Sequence, residues 1–250
     1  MKLFGYELPA ASSLLLWGLL WEIVGQLELT FFVPALSEIF ATLVEISTTK
    51  PFLKALKETG QAFALGTSSA ILIGIPVGIL MGINKLLDEM LLPWVNVFLS
   101  APLTALVPVL MVLFGFGLKA IVITTALFAI WVIILNARAG VKQINPSLVE
   151  MANSFGANSW DAFSKIYFWA ALPEILSGVR IGFIRAVKGV IIGQLLISIV
   201  GFGALFELYS AQFLMKHFWA VLLVLFAMAF TISEFLGMLE RKVSYYAASR

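Results

Sequence analysis

Side chains able to do chemistry are few in this chain, and they do not converge. Cysteine is absent, so there is no thiol nucleophile, disulfide or thiolate metal site. His217 is the one histidine, which removes multi-histidine metal centres. Beside Trp219, it sits where an interfacial aromatic belt is expected. Gly115-Phe116-Gly117-Leu118-Lys119 has the glycines and lysine of a phosphate loop. Ala120 follows where serine or threonine is needed, and no other such motif occurs. No set of polar residues gathers at one depth as an embedded enzyme would require. The chain is therefore expected to be no enzyme and to hold no metal or cofactor of its own. What remains is charge: Arg180, Arg185 and Lys188 in one hydrophobic stretch, and Glu22 and Glu234 near the ends of two others.

The stretches that carry these residues make up most of the chain. Its 250 residues are 61% hydrophobic and 12% charged, against about 25% charged in a soluble domain. That leaves too little polar surface for a water-soluble globule, so the class is an all-α integral membrane protein. Its net charge of +2 gives no reason to expect nucleic acid as a partner. Segments of spanning length run at about 10–27, 59–81, 90–114, 120–136, 175–200 and 218–239. The first is read as a retained helix rather than a signal peptide, because no small-residue cleavage pattern follows it. Between 29 and 57, apolar residues recur at helical spacing among Pro34, Glu38, Lys50 and Pro51, which predicts an amphipathic helix at the interface. The second segment carries Gly66, Ala70, Gly74, Gly78 and Gly82 four apart, a small-residue face for close packing, and Pro76 is expected to kink it. The third is broken by Pro93, Pro102 and Pro108. Its run Pro102-Leu103-Thr104-Ala105-Leu106-Val107-Pro108 is either a pathway lining or a kinked structural helix. In the fifth, Lys188 lies about 12 Å deeper than Arg180. Arg180 is expected to snorkel to the interface; Lys188 either snorkels or faces water.

One polar interval has helix punctuation of its own. Ser147 and Glu150 have capping-box spacing, Gly156 can end a short helix, and Asn158-Ser159 can start another. This predicts a helix–turn–helix between the fourth and fifth segments. Six spans put it on the same side as both termini. Lys2, Lys85, Arg138, Lys142, Lys165, Arg180, Arg185, Arg241, Lys242 and Arg250 fall on that side, against Lys50, Lys54, Lys57, Lys119 and Lys216 opposite. The excess of basic residues makes that side cytoplasmic.

The run from Glu150 through Gly156 to Ile166 resembles the EAA motif of bacterial ABC importer permeases: Glu-Ala-Ala, three residues, Gly, nine residues, Ile, one residue, Leu-Pro. Glu150, Ala152, Gly156 and Ile166 match in spacing; Met151 replaces an alanine, and Phe168-Trp169 stand at the Leu-Pro. Leu172-Pro173, four residues on, is similar to a second Leu-Pro of the nitrate/sulfonate/bicarbonate branch. Phe32-Val33-Pro34, Ser37-Glu38-Ile39, Gly74 to Gly78, Pro102 with Pro108, Phe114 to Gly117, Gly178 to Gly182, Gly201-Phe202-Gly203 and Leu239-Glu240-Arg241 also resemble that branch.

The resemblance implies a type I ABC importer transmembrane domain over 1–250, with a six-helix core at about 59–239 and the coupling-helix motif at 147–173. It implies a multi-pass protein of the bacterial inner membrane. Its partners would be a second copy of the permease, a cytoplasmic ABC ATPase dimer that binds the ATP and magnesium, an extracytoplasmic binding protein, and lipid. By position, Glu150, Met151, Ala152, Ser154 and Gly156 would dock the ATPase. Pathway candidates are Pro102, Thr104, Pro108, Arg185, Lys188 and Gln194, the last standing where the branch often has glutamate. The solute expected is a small anion such as nitrate, sulfonate, bicarbonate or a carboxylate. The alternative, a stand-alone secondary transporter or channel, needs internal repeats or mid-span carboxylates, and Glu22 and Glu234 lie near span ends.

Overall fold

The computed structural model describes the backbone of residues 2–3, 6–7, 10–197 and 200–248. Within these, side chains are described except at 2–12, 14, 153, 159, 232, 233, 236 and 239–248. The side chains of Lys2, Arg241 and Lys242 and the whole of Arg250, counted above for sidedness, and the side chain of Ser159 thus lie outside the described set. Apart from a two-residue antiparallel pairing of Lys2–Leu3 with Tyr6–Glu7, the fold is helical. Its helices are α1 (Ala10–Gln26), α2 (Leu36–Ser47), α3 (Lys50–Ile83), α4 (Lys85–Ser100), α5 (Val107–Phe114), α6 (Leu118–Lys142), α7 (Pro146–Ser154), α8 (Ser159–Ala162), α9 (Phe168–Ala170), α10 (Leu172–Ile197), α11 (Phe202–Ala211) and α12 (Met215–Ala248).

At the centre, α6 is gripped by two glycine-bearing faces. On one side α3 runs parallel to it. A side-chain carbon added at Gly66 would lie 2.5 Å from Thr125, at Gly78 2.5 Å from the Ile134 carbonyl, and at Gly82 2.5 Å from Val141. Gly74 faces Ile133. On the other side α10 runs antiparallel, with Gly178 against Asn136, Gly182 against Ile133, Gly189 against Phe128 and Gly193 against Thr124. In lipid the apolar effect between helices is absent, so this backbone-to-backbone approach supplies the attraction through dispersion. The buried hydroxyls of Thr124 and Thr125 donate to the carbonyls of Ala120 and Ile121, so neither is left unpaired.

The starts of α3, α6 and α12 and the end of α10 share one end of the bundle. There Ile39, Ile46, Phe52, Phe202, Phe206 and Val221 form an apolar cluster. This corrects in part the expectation of an amphipathic interfacial helix over 29–57: a helix with one buried face is present, but it covers less of the stretch and packs on the bundle. The stretch is divided: α2 buries Ile39, Thr42 and Ile46 against this cluster, and Lys50 onward already belongs to α3. Proline at the first turn of α3 costs no hydrogen bond, which allows the helix to begin there. The loop before α2 is pinned by two indoles, Trp21 donating to the Pro34 carbonyl at 3.0 Å and Trp219 to that of Phe32 at 2.8 Å. Glu22, at the end of α1, accepts from the backbone and hydroxyl of Ser37.

Among the described residues two helices, α3 and α6, are by themselves long and apolar enough to cross a membrane, and up to four spans result if each bent pair counts as one. The first bent pair bears out a break of the third segment at Pro102 but not at Pro93. Pro93 lies inside an unbroken α4, and the chain turns through 96° at Ala101–Pro102, passing by a 3-10 turn (Leu103–Leu106) into α5, whose first turn holds Pro108.

Candidate functional site

At the opposite end of the bundle, α6 hands the chain to α7. The cap is Asn145, not the Ser147–Glu150 box: its Oδ1 accepts from the Ser147 amide at 3.0 Å and the Ser147 hydroxyl at 2.9 Å. Both residues can cap, and Asn145 wins because Pro146 then takes the first helical position, where its missing N–H costs nothing. Gly156, at φ +77°, ends the helix. The amide of Ala157 reaches back to the Ala152 carbonyl at 3.0 Å, the closing bond of a Schellman turn. Asn158 then caps α8, its Oδ1 accepting from the Asp161 amide at 2.9 Å. Asp161 pairs with Lys165, whose hydrogen bond holds that carboxyl below the usual range. A π-helical stretch, Phe163–Tyr167, containing Ile166, joins α8 to α9.

Glu150, Met151, Ser154 and Gly156 are exposed on this element and Ala152 is half-buried. The Ser154 hydroxyl turns inward to the Glu150 carbonyl at 2.9 Å. The most prominent feature is one that the motif does not name. Leu148, Met151 and Phe155 share a helical face, and Phe155 is 86% exposed, with Trp160 at 72% beside the turn. The signal was present in the spacing of apolar residues three and four apart in an otherwise polar interval. Only the structure shows that this face is left uncovered by the rest of the described chain.

The end of α6 is tied to α4 by charge. Arg138 and Lys142 both bond the carboxylate of Asp88, with Arg138 Nη2 at 2.8 Å from Oδ2. With a cation on each carboxylate oxygen, Asp88 is bonded on both sides and fixes the first turn of α4 against the last turns of α6.

An exposed, capped element ending in an aromatic knob, set between two hydrophobic helices, suits mechanical attachment to another protein. Residues 74–245 match the family described as binding-protein-dependent transport system inner membrane component. The chain belongs to this family. It is 28% identical over 233 residues to the taurine transport system permease TauC of Escherichia coli, covering 90% of this chain and 84% of that one. It is 30% identical over 163 residues to the riboflavin transport system permease RibX of Chloroflexus aurantiacus, 65% of this chain. It is 32% identical over 181 residues to the bicarbonate transport system permease CmpB of Synechococcus elongatus, 71% of this chain. The chain spans 61% of the length of the riboflavin permease and 64% of that of the bicarbonate permease. A solved chain of the MetNI methionine ABC transporter has the same fold, with TM-score 0.66 and 22% identity, covering 78% of this chain and 99% of that one. Proteins of this family are the permease components of ABC importers and are not themselves catalytic.

In this permease Pro102, Thr104 and Pro108 are exposed at the 96° bend. On α10, Lys188 is exposed and Arg185 half-buried. Gln194 is 1% exposed and locked to Thr59, donating from Nε2 at 2.9 Å and accepting from its hydroxyl at 3.1 Å. Thr59 also accepts from the Phe202 amide and Glu58 from the Gly201 amide, so Gln194 belongs to a polar clasp joining α3, α10 and α11. In this arrangement it fastens helices and lines no open space. The guanidinium of Arg180 packs over Gly237 of α12.

Proposed function

We propose that two copies of this permease form the pathway of an ATP-driven importer of the bacterial inner membrane. About six spans leave both termini in the cytoplasm. α7 serves as the coupling helix on a dimer of cytoplasmic ATPases, which bind the ATP and magnesium. An extracytoplasmic binding protein delivers the solute. The carrying observation is the element α7–α8: a capped helix with an exposed face of Leu148, Met151 and Phe155, following directly on α6. The stand-alone transporter is the weaker reading, because Glu22 is engaged with Ser37 at the end of α1 and does not stand alone in mid-span. Reconstitution tests the assignment. Vesicles holding the permease alone should take up nothing, and adding ATPase, binding protein and ATP should start uptake. Uptake by the chain alone overturns the reading.

The pathway runs past the bend at Pro102, Thr104 and Pro108 and past Lys188. Lys188 lies about 24 Å from the start of α10 and about 14 Å from its end, further than a lysine stem reaches. It makes no ion pair among the described residues. A cation so placed needs water or an anion. A small anionic solute follows, in keeping with relatives named for taurine, bicarbonate and aliphatic sulfonates. Lys188→Gln is expected to cut ATP-driven uptake about tenfold or more through loss of one charge contact, with the ATPase still copurifying. A cognate binding protein with no affinity for any anion rules out this choice of solute.

A further inference from the structure

Asp88 is the one buried charged side chain among the described residues. It is also one of only two buried residues of α4, the other being Val95. Val95 packs with Met81 and Ile134, an apolar contact that can slide. The bond to Arg138 and Lys142 cannot, because bidentate charge-assisted geometry fixes both distance and register. Each end of this contact leads to a part of the candidate site. From Lys142 the chain reaches Asn145, the cap of α7, within one turn. From Asp88, α4 runs to the 96° bend that exposes Pro102 and Thr104. The other contacts of the bent segment are apolar: Phe98 stacks on Trp131, Leu92 and Leu99 pack beside Val95, and Leu103 and Val107 are buried beyond the bend; the ion pair is the contact with directional geometry.

We propose that Asp88 is the positioning residue through which movement of α7 reaches the bent α4–α5 segment, with Arg138 and Lys142 as the link. The inference rests on the permease reading above and deepens it. When the ATPase draws α7, the last turn of α6 moves with it, and the ion pair carries α4 along. Without Asp88, α6 can move while α4 stays, because the remaining apolar contacts, Val95 on Ile134 and Phe98 on Trp131, resist separation but not sliding.

The chain has no cysteine, so Val112→Cys, 83% exposed on α5, places one spin label in each copy. In the complex with its ATPase, the label-to-label distance should change between the nucleotide-free and ATP-bound states. In Asp88→Asn, ATPase copurification and ATP hydrolysis should persist and the distance change should be lost. Asp88→Glu should restore it. If the Asp88→Asn complex does not assemble, the exchange Asp88→Arg with Arg138→Asp takes its place and should recover the distance change. A distance change that persists in Asp88→Asn overturns the proposal, as does an exchange complex that hydrolyses ATP with a fixed distance. A merely structural Asp88 would lower hydrolysis and distance change together, in proportion to the complex formed, and that outcome also overturns it. Absence of any change in the chain with native Asp88 sinks the permease reading itself, which separates the two failures.

Discussion

Gly156→Asp is expected to release the ATPase while leaving the permease folded. A side-chain carbon at Gly156 would meet nothing within 4 Å, so the substitution creates no clash within the chain. Its cost is local. At φ +77° an L-residue is strained by about 1–2 kcal/mol, and the turn that sets α7 against α8 shifts. A new carboxylate also arrives on a surface that must shed water to dock. Copurification should fall by roughly tenfold or more, with the melting of the isolated permease little changed. Glu150→Lys should act in the same direction. Phe155→Ala refines the assignment: an aromatic 86% exposed in the free chain is the kind of anchor whose truncation costs about 2 kcal/mol or more at an interface. If Gly156→Asp and Glu150→Lys leave both copurification and ATP-driven uptake intact, α7 is not the docking helix.

Gly78→Ala should destabilise the membrane core where Gly60→Ala, in the same helix, does not. At Gly78 the added carbon lies 2.5 Å from the Ile134 carbonyl and 2.7 Å from Ala137. The first is backbone of α6 and cannot rotate away, so the helices must part along their contact. Overpacking of this kind costs about 1–3 kcal/mol, and the upper end is expected here because α10 holds α6 from behind. At Gly60 nothing lies within 4 Å, and alanine's helix preference should instead add up to about 1 kcal/mol. Thermal melting in detergent measures both. Equal melting temperatures for the two variants would remove the claim that the α3 glycine face sets the core.

Much of this was legible along the chain because it depends on local rules. The glycines of α3 recur at one helical spacing, and that spacing places them on one face whatever lies opposite. Gly156 ends α7 because few other residues adopt its backbone geometry, and Asn158 begins α8 because its side chain bonds an amide three residues on. The Ser147 cap failed on a local competition: Asn145, two residues earlier, offers its own acceptor and lets Pro146 open the helix. The break in the third segment went to Ala101–Pro102 rather than Pro93, because a helical proline tolerates one lost bond when the surrounding turns stay intact, and three prolines in sequence do not say which turn gives way.

By itself the sequence determined the membrane class, the order of the hydrophobic segments and the punctuated element between the fourth and fifth. Each rests on composition or on residues a turn apart. The tertiary structure alone decided that Asp88 meets Arg138 fifty residues away, that Gln194 is enclosed with Thr59 rather than open to a pathway, and that Phe155 stands out from the molecule. Burial and charge pairing are set by neighbours distant in sequence, and no local spacing encodes which of many polar and apolar side chains will find one another once α6 is gripped between α3 and α10.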